Sequence, residues 1–310
     1  MSKFILALDA SQLALYQTCP LQWYYKYKEN LSLTTAHTKD AADKGTLMHF
    51  LLDNYYTLRA QDPVGNKLQQ ADVAIQKFTT EATILTLFSD TQETRELEAF
   101  LCKRFFLYVQ RYMSDDFNVE IKNNVLPVEL GFSKLLYEDT YVKFIVEGRI
   151  DLISSIHTQG LYCWIDHKTQ SKNYTLYNYI PQFKTYAWAT GYSYGIINYI
   201  GLQEDKDSSL LKRGFLFKRN LIHFSTDMIQ AWERTMLNIF FAIYRKLTIT
   251  DAPEEVFSVV RNDSACAGAF NYNPCQYTYI CEEFNTEMKQ RIKEFKYTVH
   301  EPWTPWRPEK

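Results

Sequence analysis

The sequence predicts a mixed α/β (α+β) fold, in which a mixed sheet is flanked by helices. Apolar residues recur three and four positions apart within residues 66–113, which predicts two amphipathic helices. After Val119 the period changes to that of strands, and three successive strands are predicted over residues 125–132, 141–152 and 161–165. Since strands and helices do not alternate regularly along the chain, a doubly wound sheet is not expected.

The first part of the chain is predicted to be mainly helical. Asp9 is an N-cap candidate for a short helix, and Pro20 suits the first position of a second helix. A polar, Thr-rich loop is predicted over residues 30–42. A longer helix is predicted to follow from Ala42 to Ala60.

Helices and strands are also predicted beyond the three central strands. Helical periodicity returns over residues 174–189, where Pro181 indicates that the helix proper begins at Ile180. Two further strands are predicted over residues 194–201 and 214–219, followed by a long amphipathic helix over residues 225–247. A charged helix is predicted after Glu282.

Length and composition restrict the class of protein. With 310 residues, of which 46% are hydrophobic, the chain can bury a sizeable core. No apolar stretch approaches the ~20 residues of a membrane span, and the apolar run near the N-terminus is too short for a secretory signal. We therefore expect a cytoplasmic protein without a membrane partner, whose six cysteines are thiols or metal ligands rather than disulfides. The net charge of −2 predicts that any contact with nucleic acid uses a local basic patch.

Two acids and a lysine accompany apolar strands in the middle of the chain. Asp151 is delivered by one predicted strand, and Asp166 and Lys168 follow the next one. Two carboxylates and an ammonium at the ends of adjacent strands form a site for a hard cation, which suits metal-assisted phosphodiester hydrolysis. The same acid-x-Lys spacing occurs in polar segments, for example at Glu287 and Lys289, so a hairpin with solvated polar ends is the alternative.

Three cysteines fall close together near the C-terminal end of the sequence. Cys266, Cys275 and Cys281 lie in a segment rich in Asn, Tyr and small residues. They are one thiolate short of a tetrahedral site with four cysteine ligands, and no C-x-x-C pair of the kind usual for zinc is present. The alternative is a set of unrelated thiols.

Five segments, in order along the chain, resemble the PD-(D/E)XK nucleases. The branch that they resemble is the RecB type, which includes the AddB-like and CRISPR-associated iron–sulfur exonucleases. The segments are Ser11 to Tyr24 with Cys19-Pro20, Gly45-x-x-x-His49, Gly148-Arg-Ile-Asp151, Asp166-His-Lys168-Thr169 and Gln182-x-x-x-Tyr186. The resemblance implies a single nuclease domain over residues 1–310 with a restriction-endonuclease-like core. Its expected parts are a mainly helical portion (1–115), a catalytic α/β core (119–250) and a cysteine-containing segment (260–310).

The resemblance also implies a role for each residue of the motifs. Mg²⁺ or Mn²⁺ would be bound by His49, Asp151, Asp166 and the backbone carbonyl of His167, whose side chain strand alternation directs to the opposite face. Lys168 would position the attacking water, and Gln182 and Tyr186 would orient Lys168 and the DNA strand. Glu129 is a further candidate in the active site. Candidate phosphate contacts are Arg149, Lys172, Lys184, Lys212, Arg213, Lys218 and Arg219.

A second cofactor follows from the same resemblance. Cys19 would supply the fourth thiolate of a 4Fe–4S cluster, with Cys266, Cys275 and Cys281 as the other three. The cluster would join the N- and C-terminal segments over the nuclease core. The step from Cys266 to Cys275 is longer than the C-x-x-C step of the family, and Tyr272 stands where that cysteine would be.

The function implied is that of a metal-dependent DNA exonuclease acting on ends or single strands in repair, recombination or phage DNA processing. Because the chain contains no Walker A pattern, it would act alone or with a helicase or recombination partner. One alternative is a catalytically silent nuclease fold that serves as a DNA-binding or partner-docking module. Another is a metal- or cluster-binding structural protein unrelated to DNA.

Overall fold

The computed structural model describes residues 3–34, 40–80, 91–114, 117–119, 121, 125–156, 160–170, 180–203, 216–249, 256–257, 266, 275–302 and 304. The chain divides into two compact units. The terminal unit consists of Met1–Thr38, Phe132–Gly148 and Asp227–Lys310, and the central unit consists of Lys39–Gly131 and Arg149–Thr226. A single nuclease domain over the whole chain stays a prediction.

The terminal unit begins with a strand and two short helices. These elements are β1 (Phe4–Leu8), α1 (Ala10–Thr18) and α2 (Pro20–Trp23), followed by a π-helical turn (Tyr24–Lys28) and β2 (Leu31–Leu33). The predicted N-cap is confirmed, because Asp9 Oδ1 accepts a hydrogen bond of 2.8 Å from the amide of Gln12. Pro20 occupies the first turn of α2, as predicted. The predicted loop over residues 30–42 is wrong at β2, whose pairing partner lies far away in sequence.

Three helices pack against one another in the central unit. They are α3 (Asp40–Gln61), α4 (Lys67–Thr80) and α5 (Gln92–Arg111), which confirm the helices predicted from periodicity. Each helix turns an apolar stripe inward, and Leu51, Phe78 and Phe105 are completely buried in the shared core. Ile165 of the sheet belongs to the same core, so the helices cover one face of that sheet.

The main sheet of the chain is mixed. Its strands come from β3 (Phe117–Asn118), β4 (Val128–Glu138), β5 (Val142–Ile156), β6 (Leu161–Gln170), β7 (Tyr194–Gly201) and β8 (Phe217–His223). Strand β6 pairs with β5 in antiparallel and with β7 in parallel orientation, and β7 pairs with β8 in antiparallel orientation. Helix α6 (Ile180–Thr190) lies between the parallel strands β6 and β7 in sequence, and it begins at the predicted residue. The predicted mixed sheet flanked by helices is therefore confirmed.

Two strands continue past the ends that the sequence predicted. Asp151 lies inside β5 and Asp166 lies inside β6, so the expectation that both acids stand at strand ends is wrong. Strand β6 continues because β7 pairs with it as far as Gln170 and Gly201. A neighbouring strand can hold polar residues in extended conformation that a sequence pattern assigns to a turn.

The last elements return to the terminal unit. They are α7 (Thr226–Thr248), α8 (Thr278–Cys281), α9 (Thr286–Lys296) and β9 (Tyr297–Val299). Phe240 and Phe241 of α7 contact Phe144, with ring centroids 5.2 and 4.9 Å apart. Strand β1 pairs in parallel with the first half of β5, and β2 pairs in antiparallel orientation with β9. Among the described residues, no helix combines the length and the apolar character that a membrane crossing requires.

Candidate active site

The predicted acids and lysine meet on β5 and β6 in the central unit. The amide of His167 donates a hydrogen bond of 2.7 Å to Asp151 Oδ2. Asp166 and Lys168 lie on one face of β6 because they are two residues apart, and Lys168 Nζ is 2.7 Å from Asp166 Oδ2. Asp166 is 1% exposed, and its Oδ1 atom accepts no hydrogen bond from any described residue. A buried carboxylate oxygen without a donor calls for a partner, and a bound cation would supply one.

Helix α3 brings His49 and strand β4 brings Glu129 close to Asp151. Ligand atoms of His49, Glu129 and Asp151 all lie within 4.8 Å of one another. Nδ1 of His49 is 3.8 Å from Asp151 Oδ2, and Nε of Arg149 is 2.7 Å from Glu129 Oε2. Glu129 has a φ of 49°, in the left-handed region that a residue with a side chain rarely adopts. Such strained backbone occurs most often at functional sites.

Gly45 allows α3 to approach β6 at this point. A Cβ atom on Gly45 would lie 2.9 Å from Oγ1 of Thr169, which is closer than such atoms normally come. His49 stands four residues later on the same helix face. The Gly45-x-x-x-His49 spacing therefore has a packing cause at its first residue and brings a possible ligand to the site at its last.

A chain of hydrogen bonds connects Lys168 to strand β5. Lys168 Nζ donates to Gln182 Oε1 at 3.1 Å, and Gln182 Nε2 donates to the hydroxyl of Tyr186 at 2.7 Å. That hydroxyl donates in turn to the carbonyl of Arg149 at 2.7 Å. Gln182 and Tyr186 can act together because they are one turn apart on α6.

Burial sets the protonation of the acids. It raises the pKa of Asp166 to about 6, against the opposing effect of the Lys168 ammonium, and the nearby Asp151 carboxylate raises it further. Burial also raises the pKa of Asp151, while Lys168 and the amide of His167 lower it. Without a cation, the two carboxyl groups therefore hold protons more tightly than exposed acids do.

Burial keeps His49 and Tyr186 neutral. It lowers the pKa of His49, although the charges of Glu129 and Asp166 oppose that shift. The pKa of Tyr186 is raised well above its usual value by burial and by the two aspartates. A neutral imidazole is the form that binds metals, and a protonated phenol keeps its ability to donate.

The predicted phosphate contacts differ in their pairing and in their exposure to solvent. Lys172, Lys212 and Arg213 lie outside the described residues. Arg149 is paired with Glu129, and the guanidinium of Arg219 donates to Asn198 and Tyr108 instead of facing solvent. Lys218 is exposed, and Lys184 is half-buried. Asn198 was missed by the sequence prediction, although a polar residue among the isoleucines of β7 could have indicated it.

The four predicted cluster cysteines are neighbours in the terminal unit. The Sγ atom of Cys19 accepts a hydrogen bond of 3.4 Å from the amide of Gln22. The amide of Cys275 donates a hydrogen bond of 2.9 Å to the carbonyl of Cys266. Burial raises the pKa of Cys281 to about 12, and the charges of Cys275, Cys19 and Cys266 raise it further. All six cysteines are free thiols.

These four thiols do not converge as closely as the carboxylate group. In the part of the chain that the structure describes, the set of three or more His, Cys and acidic ligands within 4.8 Å is His49, Glu129 and Asp151. Cys19 and Cys266 are thus near enough to raise the pKa of Cys275 and Cys281, which burial raises most, but no three of these described thiols meet within 4.8 Å.

Comparison with known proteins identifies the family. The model of the PD-(D/E)XK nuclease superfamily matches residues 7–282, and the chain belongs to that superfamily. Membership implies a metal-dependent nuclease whose substrate is DNA. No curated protein matches the chain.

Two solved structures are remotely similar. "Crystal structure of SSO0001" has 12% identity and a TM-score of 0.32, covering 80% of this chain and 84% of that one. "Crystal Structure of LHK-Exo in complex with dAMP" has 12% identity and a TM-score of 0.24, covering 65% of this chain and 98% of that one. Likenesses this remote carry no conclusion about activity.

Proposed function

We propose that the central unit hydrolyses phosphodiester bonds of DNA with Mg²⁺ or Mn²⁺ held by His49, Asp151, Asp166 and Glu129. The observation that carries this proposal is the meeting of His49, Glu129 and Asp151 within 4.8 Å. The donor set fits the cation, because carboxylates suit Mg²⁺ and an added imidazole makes Mn²⁺ suitable as well. The Oδ1 atom of Asp166 accepts from none of the described residues and is a further ligand atom, and the backbone carbonyl of His167 remains a proposed ligand.

Hydrogen bonds around the proposed cation site would fix the orientation of the Asp151 carboxylate and of the Lys168 ammonium. A bound divalent cation supplies water of lowered pKa and stabilises the charge that develops on the phosphate. Asp151 is held by the amide of His167, so its carboxylate is oriented before any ligand arrives. Lys168 is held between Asp166 and Gln182, so its positive charge stays beside the proposed cation ligand Asp166. A preoriented charge costs no reorganisation during the reaction.

Gln182 and Tyr186 are proposed as positioning residues. They fix the ammonium of Lys168 through the carbonyl of Arg149 and do not themselves need to touch the phosphate. The bond from the Lys168 ammonium to Gln182 is charge-assisted, and the bond between Gln182 and Tyr186 joins neutral groups. Inside a buried site each of these bonds is geometrically restrictive.

The substrate is proposed to be DNA with an accessible end or a single-stranded segment. The order of the His49, Asp151, Asp166–Lys168 and Gln182–Tyr186 motifs supports this choice, since it resembles RecB-type exonucleases. A role in repair, recombination or phage DNA processing, a helicase or recombination partner and a cytoplasmic location are proposed on the same resemblance.

We further propose that Cys19, Cys266, Cys275 and Cys281 bind a 4Fe–4S cluster. Four thiolates are the ligand set of such a cluster. A cubane of four irons holds its thiolates farther apart than one zinc ion does, which agrees with thiols that are neighbours without converging. The pairing of β2 with β9 already joins the N- and C-terminal segments, so the cluster would reinforce an existing connection.

A nuclease assay tests the catalytic proposal. Linear double-stranded, linear single-stranded and covalently closed circular DNA are incubated with the wild type, Asp166→Ala and Lys168→Ala in Mg²⁺ or Mn²⁺. We expect the wild type to degrade the linear substrates and spare the circle, and both variants to be inactive. Glu287→Ala, at the exposed acid of an acid-x-Lys pair on α9, is the matched control and should retain full activity.

Three results would contradict the proposal. Undiminished degradation by both variants would remove the catalytic assignment. Cleavage of circular DNA as fast as linear DNA would overturn the exonuclease proposal. A wild-type protein that binds DNA without cleaving it would favour the catalytically silent alternative.

A further inference from the structure

A row of three polar side chains crosses the sheet beside the active site, and we call it the polar ladder. It consists of His167 on β6, Asn198 on β7 and Arg219 on β8, which stand opposite one another in the strand register. His167 is one residue from Asp166, so its side chain points to the other face of β6. Asn198 is completely buried, and His167 is 3% exposed.

Arg219 determines which atoms of the polar ladder donate hydrogen bonds and which accept them. Arginine can only donate, so the atom of Asn198 that lies 3.3 Å from Arg219 Nε must be the carbonyl oxygen. The amide nitrogen of Asn198 then faces His167 Nδ1 at 2.7 Å and the hydroxyl of Tyr108 at 2.9 Å. Nδ1 of His167 therefore accepts, which places the ring proton on Nε2.

Arg219 is fixed at the far end of the polar ladder. Its guanidinium lies over the ring of Tyr112, 3.6 Å from the centroid, and over that of Phe117 at 4.2 Å. It also donates to the hydroxyl of Tyr108 at 2.9 Å, and this hydroxyl lies 2.7 Å from that of Tyr56. Helix α5 and strand β3 thus hold the arginine, and the arginine holds the asparagine.

The near end of the polar ladder touches two proposed metal ligands. The ring of Tyr56 stacks on His167 with centroids 5.5 Å apart, and the ring of His49 meets it edge-on at 6.1 Å. Both rings belong to α3, so His167 supports the helix that presents His49. The amide of His167 also binds the carboxylate of Asp151. One residue therefore contacts His49 through its ring and Asp151 through its backbone.

We propose that Asn198 and Arg219 are positioning residues of the metal centre, which act by fixing the His167 ring. The inference rests on the proposed function, because it assumes that His49 and Asp151 bind the cation. A leucine would pack at position 198 between isoleucines without needing partners, so filling the core does not account for a buried amide there. Partners of metal ligands typically contribute about 10–100-fold to metal affinity.

Calorimetric titration of the full-length protein with Mn²⁺ tests the polar ladder. Asn198→Leu keeps the approximate volume of the side chain and removes its three hydrogen bonds, to His167, Tyr108 and Arg219. We expect Mn²⁺ affinity to fall about tenfold or more. Gln70→Leu is the matched control, since Gln70 is a buried polar residue of the same unit that bonds to Arg59. The control should lower the melting temperature and leave Mn²⁺ affinity unchanged.

Further variants separate this inference from the proposed function. His49→Ala should weaken Mn²⁺ binding, and failure of the wild type to bind Mn²⁺ would overturn both proposals. Wild-type affinity in a folded Asn198→Leu protein, together with weakened binding in His49→Ala, would overturn the polar ladder alone. If circular dichroism shows that Asn198→Leu does not fold, Arg219→Lys tests the inference instead. This variant keeps the positive charge and loses the planar guanidinium that donates to both Asn198 and Tyr108. Unchanged Mn²⁺ affinity in Arg219→Lys would then refute the inference.

Discussion

The carboxylate site of the central unit and the cysteine group of the terminal unit offer ligands of opposite character. The first presents carboxylate oxygens and one imidazole, whose atoms lie within 4.8 Å of one another. The second presents four thiols, no three of which lie within that distance among the described residues, and burial and the neighbouring cysteines raise the pKa of Cys275 and Cys281. Hard oxygen ligands at short separation suit a single Mg²⁺ or Mn²⁺ ion, and spread thiolates suit an iron–sulfur cluster.

The two regions also differ in how they are prepared for a cofactor. Asp151 is hydrogen-bonded to the His167 amide, and Lys168 is bonded to Gln182, so much of the carboxylate site is oriented by the fold. The cysteines lie beside short elements, namely α2 and α8, which have four residues each. The difference indicates that the carboxylate site follows from the fold, whereas a cluster would itself contribute to folding in the terminal unit.

The largest expected effect is at Asp166. Asp166→Asn keeps the shape of the side chain and removes a charge from the metal centre. Because metal-assisted stabilisation is worth several kcal/mol, we expect nuclease activity to fall by about a thousandfold or more. The rate of degradation of linear DNA measures the change. Visible absorbance from the terminal unit should be unaffected, and Glu287→Gln on α9 should behave like the wild type.

The second prediction concerns the thiols. Cys281→Ser should abolish the visible absorbance and the bound iron of anaerobically purified protein. We also expect the melting temperature to fall by about 10 °C, because a lost structural cofactor removes several kcal/mol of folding free energy. Cys102→Ser, outside the group of four, should remain coloured. A colourless, zinc-containing wild type with full activity would contradict the cluster proposal.

The third prediction is a pH dependence that belongs to the carboxylate site alone. The pKa of Asp166 is raised to about 6, so below pH 6 a cation must displace a proton from this residue. We expect Mn²⁺ affinity to fall roughly tenfold per pH unit below 6 and to level off above it. Calorimetry at a series of pH values measures this slope, which Cys281→Ser should leave unchanged.

In the metal-free protein, the raised pKa of Asp166 makes the folded state less stable as the pH rises. A raised pKa means that the folded state holds the proton of Asp166 more tightly than the unfolded state does. This contribution to stability is fully present below the unfolded pKa near 3.8 and is lost as the pH rises through about 6. The melting temperatures of metal-free and Mn²⁺-loaded protein should therefore diverge as the pH rises through 6. A constant difference would count against Asp166 as a ligand.

The smallest predicted effect is at Tyr186. Tyr186→Phe removes the hydroxyl that accepts from Gln182 and donates to the carbonyl of Arg149. Of these two bonds only the one to Gln182 orients the partner of Lys168, and one neutral hydrogen bond is worth ~1 kcal/mol. We therefore expect kcat to fall about tenfold or less and Mn²⁺ affinity to stay unchanged. Tyr141→Phe, at an exposed tyrosine, is the control. A large loss of Mn²⁺ affinity would mean that Tyr186 acts on the metal centre and not on Lys168.

The local pattern of the sequence was sufficient for the main elements of the catalytic region. Short apolar segments predicted β5 and β6, and helical spacing predicted α3, α5 and α7. The spacing of Asp166 and Lys168 placed them on one face of a strand, since that geometry depends only on residues two apart. The strand ends and the loop over residues 30–42 were predicted incorrectly, because pairing with distant strands extends β6 and creates β2.

The sequence by itself determined the order of the motifs, the apolar strands that bear the two aspartates and the family to which the chain belongs. Only the tertiary structure decided that Glu129 joins His49 and Asp151, that Arg219 turns inward, and that Asn198 holds His167. Each of those contacts joins residues separated by at least twenty positions along the chain. Their distance in space depends on how strands pair and how α3 packs on the sheet, and no local pattern contains that information.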